Sequence, residues 1–233
     1  MKIVRNDKLI KRNKTIGNVA SFTGIGILVF GLVMSFNPTP TKTLISFIAL
    51  IVGFIVAQVS TYFVNRFSRD PRYDEMIAEN LSKLSDDYTF YVYSSPVAMM
   101  LVGPAGIWVP VPTSAGGEIY YDKKWKQRGG NMMLKLFGQE NIGKPSMDIE
   151  SNINEITKSL AKGMPEAELP PIEGILVKMN PNATIGEVGE APDPIVEAEA
   201  LRRTIRKYDR KVEDGLSPET LAKINEIFGV TEE

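Results

Sequence analysis

Two long apolar stretches open the chain, residues 16–36 and 44–64, and Lys42 is the one charge they enclose. Each is near the ~20 residues a helix needs to cross a hydrocarbon core. Residues 37–42 (Asn-Pro-Thr-Pro-Thr-Lys) read as a polar turn between them. The pattern predicts a transmembrane helical hairpin over residues 15–66. Small residues recur four apart on one face of each helix: Ala20 and Gly24 in the first, Ala49, Gly53 and Ala57 in the second. That spacing lets backbones approach closely in lipid. Ala49, Gly53 and Ala57 are therefore candidate contact residues, between the two helices or against a partner subunit.

Beyond residue 66 the periodicity changes. Met76, Ile77, Leu81 and Leu84 have helical spacing. Residues 89–93 are aromatic and β-branched and read as a strand. Residues 98–102, 107–111 and 118–121 read as three more, the first two joined by Gly103-Pro104-Ala105-Gly106. Residues 148–162 place Ile149, Ile153, Ile156 and Leu160 on one helical face. Residues 174–179 read as a strand, residues 190–194 as a loop, and residues 195–212 as a helix with a highly charged surface. Ser217-Pro218, an N-cap and a proline at the first helical position, opens a last helix to residue 228. This order predicts an α/β domain, a mixed sheet flanked by helices, over residues 67–233. Residues 127–144 show no clear period. Met132, Met133, Leu134, Leu136 and Phe137 within them form an apolar segment suited to core packing, a partner or a membrane surface.

Composition narrows the chemistry. Among 233 residues there is no cysteine and no histidine. Disulfides, thiolate metal sites and Cys nucleophiles are excluded, and the commonest general base is missing. Carboxylates, lysines and hydroxyls remain, and no cofactor is indicated. Charge narrows the location. Residues 1–14 form a basic arm, with Lys2, Arg5, Lys8, Lys11, Arg12 and Lys14 against Asp7. Arg66, Arg69 and Arg72 follow the second apolar stretch. The positive-inside bias then predicts a multi-pass protein of the cell (inner) membrane with both termini cytoplasmic. The whole chain carries a net charge of −1, so residues 67–233 are net acidic. That balance disfavours nucleic acid as a partner, because such affinity comes from neutralising phosphates. The lipid bilayer, other membrane-protein subunits and further copies of this chain are the expected partners. The best basic-aromatic patch is Lys123, Lys124, Trp125, Lys126 and Arg128. It could touch nucleic acid or anionic headgroups, or be a solvated loop with Trp125 tucked against the sheet.

Several short words then stand in order. Leu81 and Leu84 lead to Asp86-Asp87-Tyr88, and Val102-Gly103-Pro104-Ala105-Gly106-Ile107-Trp108-Val109 follows. Gly117-Glu118-Ile119 precedes Trp125. Ile172-Glu173-Gly174-Ile175-Leu176-Val177 precedes Asn180-Pro181-Asn182-Ala183 and Ala200-Leu201. From residue 72 to residue 211 the chain resembles the NERD family, the nuclease-related domain. The resemblance implies a restriction-endonuclease-like core. It also implies a helix Glu, an Asp on the strand before the hairpin and a Glu-x-Lys on the strand after it. Such carboxylates hold a divalent metal that polarises phosphate. The matching positions here are Asp74, Ala98 and Val111-Pro112-Thr113, and a glutamine on the next helix is matched loosely by Asp148 or Asn152. Alanine and valine cannot ligate a metal, and threonine carries no charge. The resemblance is therefore to a degenerate active site with no catalytic or metal-ligating residues. Pro110 and Pro112 are foreign to a central strand, so that strand is expected to end near Val109 or to lie at an edge. The sequence thus reads as a membrane-anchored, non-catalytic binding or structural protein, an accessory subunit of a larger membrane assembly. The alternatives are a divergent metal-dependent nuclease recruiting Asp74, Asp86 or Glu118, and a membrane-tethered nucleic-acid-binding module.

Overall fold

A computed structural model describes residues 1–130, 141–212 and 215–229. The chain divides into two units, Asp7–Arg72 on the one hand and Met1–Asn6 with Tyr73–Glu233 on the other. The apolar segment of residues 132–137 lies outside the described residues.

The first unit is a helical hairpin, α1 (Asp7–Ser35) and α2 (Pro40–Phe63), extended by a π-helical turn at Val64–Ser68. Thr39 caps α2, its side chain accepting from the Lys42 N–H, and Pro40 occupies the first turn, where its missing N–H costs nothing. The buried residues of α1 include Gly17, Gly24 and Gly31, and those of α2 are Ser46, Ala49, Gly53 and Ser60. Gly17, Gly24 and Gly31 are seven apart, as are Ser46, Gly53 and Ser60. A seven-residue repeat keeps one seam facing a partner helix, and glycine at that seam brings the backbones together. A Cβ at Gly31 would stand 2.9 Å from the Ala49 Cβ, and one at Gly17 would stand 2.9 Å from the Phe63 Cβ. Two hydroxyls cross the seam: Ser46 donates to the Gly31 carbonyl (2.8 Å) and Ser60 to that of Gly17 (3.2 Å).

The second unit is built on a six-stranded mixed sheet in the order β1-β2-β3-β4-β7-β9. Its strands are β1 (Lys2–Arg5), β2 (Thr89–Val92), β3 (Met99–Gly103), β4 (Gly106–Thr113), β7 (Ile172–Lys178) and β9 (Ile195–Glu197). β2, β3 and β4 run antiparallel in succession, while β1–β2, β4–β7 and β7–β9 are parallel. A smaller sheet, ordered β6-β5-β8, comprises β5 (Glu118–Asp122), β6 (Lys124–Arg128) and β8 (Thr184–Ile185). The helices are α3 (Tyr73–Leu81), α4 (Pro145–Leu160), α5 (Leu201–Asp209) and α6 (Pro218–Phe228). Alternation along the strands sorts the layers. Met100, Val102, Ile107 and Val109 point to one face and pack with Ile156 and Leu160 of α4 and Ile224 and Phe228 of α6. Trp108 points the other way and meets the Tyr208 ring of α5 edge-on at 4.9 Å. The fold is thus mixed α/β with helices on both sides of the sheet.

Three expectations are corrected. The basic arm of residues 1–14 is no separate arm. Lys2–Arg5 form β1, whose Ile3-Val4 core is β-branched, and Val4 packs on the main core. The Lys2 N–H donates to Tyr88 and the Asn6 N–H to Val92, while α1 begins already at Asp7. The helix expected over residues 195–212 begins as a strand. Ile195 and Val196 pair with Leu176 and Val177 before a 3-10 turn at Ala198–Ala200 leads into α5. Lastly, β4 neither stops at Val109 nor lies at an edge. Ile107 donates to the Pro171 carbonyl and Thr113 accepts from Met179, so odd residues of β4 bond towards β7 and even ones face β3. Pairing with β3 ends at Trp108. Pro110 and Pro112 therefore lack an N–H only on the side where the ladder has already ended.

Candidate functional site

The positions implied by the nuclease-like resemblance are held by several elements of the sheet unit. Asp74 lies in the first turn of α3 and is 2% exposed. Ala98 immediately precedes β3, and its carbonyl accepts from the Tyr93 N–H at 2.9 Å. Val111, Pro112 and Thr113 end β4 beside Leu176, Val177 and Lys178 of β7. Lys178 places a cation next to Thr113, but it is committed elsewhere. Its ammonium donates to the Ala183 carbonyl at 2.8 Å and pairs with Glu197 at 3.1 Å. Asp148 is exposed on α4 and Asn152 half-buried.

Two carboxylates of the alternative nuclease reading are engaged by cations. Asp86 is exposed and pairs with the Met1 amino group at 2.9 Å, which holds its carboxyl below the usual range. Glu118 accepts two hydrogen bonds from Arg128, at 2.6 and 3.0 Å. Among the described residues, no group of three or more acidic side chains is placed to hold a metal ion.

The basic patch folds into the β5–β6 hairpin. Lys123 sits at its tip with φ 59°, and Lys123 and Lys124 are exposed. Trp125 is 5% exposed, packed with Ala115, Ile119 and Leu176. Its indole N–H donates to Ser146 at 3.1 Å, and its ring meets Tyr121 edge-on. Lys126 pairs with Asp122 and Arg128 with Glu118, both at 2.6 Å. Trp125 is therefore not free to stack on a base, and Arg128 lies over the Tyr120 ring at 5.5 Å. The tight turn Gly103–Gly106 is likewise filled. The Pro104 carbonyl accepts from Leu216, and Pro171 abuts Gly106.

In the helical unit, Ala49 and Gly53 lie on the buried seam, and Ala57 meets Gly24 across it, where a glycine Cβ would stand 3.5 Å from the Ala57 nitrogen. Gly17, Gly31, Ser46 and Ser60 complete that seam and were not singled out by the four-residue spacing. Their seven-residue interval was the signal that could have found them.

Two buried phenols tie helices to the sheet. Tyr88 donates to Asp209 of α5, and Tyr91 donates to Asn225 of α6 at 2.7 Å. Burial pushes the Tyr91 phenol from 10.0 up to about 12, and burial with the Asp209 carboxylate raises Tyr88 as well. Burial also raises the Asp209 carboxyl, opposed by the Tyr88 hydroxyl. A folded-state pKa above the unfolded one gives stability that is present below the unfolded value and lost above it. We expect the sheet unit to lose stability between pH 10.0 and about 12, the interval set by Tyr91. Tyr91→Phe should lessen that loss, leaving the part that Tyr88 contributes, in denaturant titrations read by tryptophan fluorescence. An unchanged slope would remove Tyr91 as its source.

No protein-family model matches this chain, and no curated protein or solved structure matches it either.

Proposed function

We propose that the chain is a membrane-anchored, non-catalytic binding or structural protein, an accessory subunit of a larger membrane assembly. The observation that carries the anchor is the outer surface of the helical hairpin. Among the described residues, the exposed large apolar side chains lie between Ile16 and Tyr62, apart from Ile3 and Met147. The most apolar stretches of the two long helices are only 17% and 22% buried. A core helix of a soluble protein would be mostly covered, and water-facing apolar surface on this scale is rare. Lipid satisfies it, and a helix satisfies its own backbone there.

Connectivity supports a double crossing. β1 precedes α1 and α3 follows the hairpin, yet both belong to one unit. A segment that leaves a folded unit and returns to it must cross a bilayer an even number of times. The basic residues at that end of the hairpin, Lys8, Lys11, Arg12 and Lys14 in the first turns of α1 and Arg66, Arg69 and Arg72 after α2, favour the cytoplasm for that side.

The sheet unit is proposed as a NERD-like, restriction-endonuclease-like domain that has kept a framework and lost its chemistry. The hairpin strands β3 and β4, the helix α4 and the strand β7 follow in the order the resemblance implies, and β4 is central. Ala98, Val111 and Thr113 at the ligand positions favour contacts over catalysis.

Two measurements test this. An impermeant maleimide applied outside intact cells should label Thr41→Cys and leave Glu219→Cys unlabelled until permeabilisation. The reverse pattern would overturn the orientation. With Mg²⁺ or Mn²⁺, the purified full chain should cleave neither DNA nor RNA above the level of Asp74→Ala. Metal-dependent cleavage lost in Asp74→Ala would establish the divergent nuclease instead. The full chain is needed, since a fragment starting at residue 69 would strip β1 from β2.

A further inference from the structure

The helix α5 has two chemically separate faces. Leu201 and Ile205 are buried, and Tyr208 and Asp209 are half-buried and held by Glu173 and Tyr88. The outward positions are Arg203, Arg206, Lys207 and Arg210, all exposed and all cationic. Their spacing of i, i+3, i+4 and i+7 makes one stripe about two turns long. Lys211, also exposed, extends it.

No ion pair neutralises this stripe among the described residues. In the same unit Lys126 pairs with Asp122, Arg128 with Glu118, Lys158 with Glu155, Lys178 with Glu197 and Lys223 with Glu168, and the exposed Lys83, Lys123, Lys124, Lys144 and Lys162 stand apart from any helical row of four cations. Like charges three and four apart oppose helix formation. The helix dipole favours cations in the last turn, but it does not account for Arg203 near the start. The stripe is therefore self-repelling in isolation and complementary to a dense array of negative charge.

We infer that this face of α5 docks on the anionic headgroups of the bilayer that the hairpin spans. The inference rests on the membrane reading of α1 and α2. A polybasic helix on a tethered domain needs little intrinsic affinity, because the tether keeps the surface within reach. A free polyanion must instead find four point charges on a net-acidic domain. The stripe also carries no aromatic ring on which bases could stack, since Tyr208 is engaged by Trp108 and Glu173.

The absence of native cysteine permits a clean test on the full chain. A nitroxide on Lys211→Cys would report collisions with a nickel-chelating headgroup lipid. The bilayers would be nanodiscs of phosphatidylcholine with or without phosphatidylglycerol. We expect a several-fold higher collision rate in the anionic discs, falling to the neutral-disc level in roughly 0.5 M salt, where the screening length is only a few ångström. The variant carrying R203E, R206E, K207E and R210E should lose the difference, with its tryptophan emission unchanged. The variant carrying R203K, R206K and R210K should keep it. Equal collision rates in neutral and anionic discs would overturn the inference while the chain still floats with the discs. Failure to float would instead sink the membrane reading beneath it. Binding of a single-stranded oligonucleotide that the charge-reversed variant loses, without any lipid dependence, would replace the headgroups with nucleic acid.

Discussion

Gly106→Ala should unfold the sheet unit under conditions where the parent is fully folded. Gly106 closes the β3–β4 hairpin with φ +139°, a conformation that side chains rarely adopt. Its Cα also faces the neighbouring strand. An added Cβ would stand 2.5 Å from the Pro171 carbonyl oxygen, which accepts the Ile107 N–H at 2.9 Å. That oxygen is backbone and cannot rotate away. Backbone strain of this kind costs ~1–3 kcal/mol, and forcing atoms into a packed site costs a similar ~1–3 kcal/mol. A domain of this size has only about 5–15 kcal/mol in all. Gly129→Ala is the matched control, since Gly129 also has positive φ (+75°) but nothing within 4 Å of its Cβ position. Both tryptophans, Trp108 and Trp125, lie in the sheet unit, so urea unfolding read by tryptophan fluorescence isolates it. Equal midpoints for the two variants would mean that the Pro171 contact contributes nothing.

Most of the architecture was legible in the sequence because most elements carry their own period. The two apolar stretches, the strands β2 to β5, the helix α4 and the capped helix α6 each declare themselves locally. What was missed depends on distant partners. β1 is four residues long and finds β2 only after the whole hairpin has intervened, so nothing local distinguishes it from a charged arm. β9 hides in front of a helix, and its three residues become a strand only because β7 offers an edge. β6 alternates charged residues around Trp125, which reads as a basic loop until Ala115, Ile119 and Leu176 are seen to enclose the ring. The prolines misled for a physical reason. The rule against proline in central strands assumes pairing on both sides, and β4 is paired with β3 only as far as Trp108. Of the candidate site the sequence supplies only side-chain chemistry: Ala98 and Val111 offer no ligand wherever they fall. The commitments of Lys178 to Ala183 and Glu197, and of Glu118 to Arg128, are tertiary facts that no spacing encodes.

Gly31→Leu should separate α1 from α2, where Gly53→Ala should not. A four-residue reading of the small face makes Gly53 its centre. The seam shows why Gly31 is the more sensitive. A Cβ at Gly53 would meet the Leu28 Cδ2 at 2.7 Å and its Cγ at 2.8 Å, atoms of one side chain that can change rotamer without moving its helix. At Gly31 the same atom would meet the Ala49 Cβ at 2.9 Å and the Ser46 carbonyl at 3.4 Å, neither of which can move without its helix. A leucine there also pushes Ser46 off the Gly31 carbonyl that it now reaches at 2.8 Å. Overpacking costs ~1–3 kcal/mol, and an interhelical hydrogen bond in lipid adds ~0.6 kcal/mol on average. Pyrenes on Thr15→Cys and Tyr62→Cys, exposed at the same end of the hairpin, would give excimer emission while the helices stay paired. In an SDS titration from mild detergent, Gly31→Leu should lose that emission well before the parent. Gly53→Ala should shift it little, and Gly26→Leu, with nothing within 4 Å, should not shift it at all. If Gly31→Leu behaves like Gly26→Leu, the glycine seam is not what holds the two helices together.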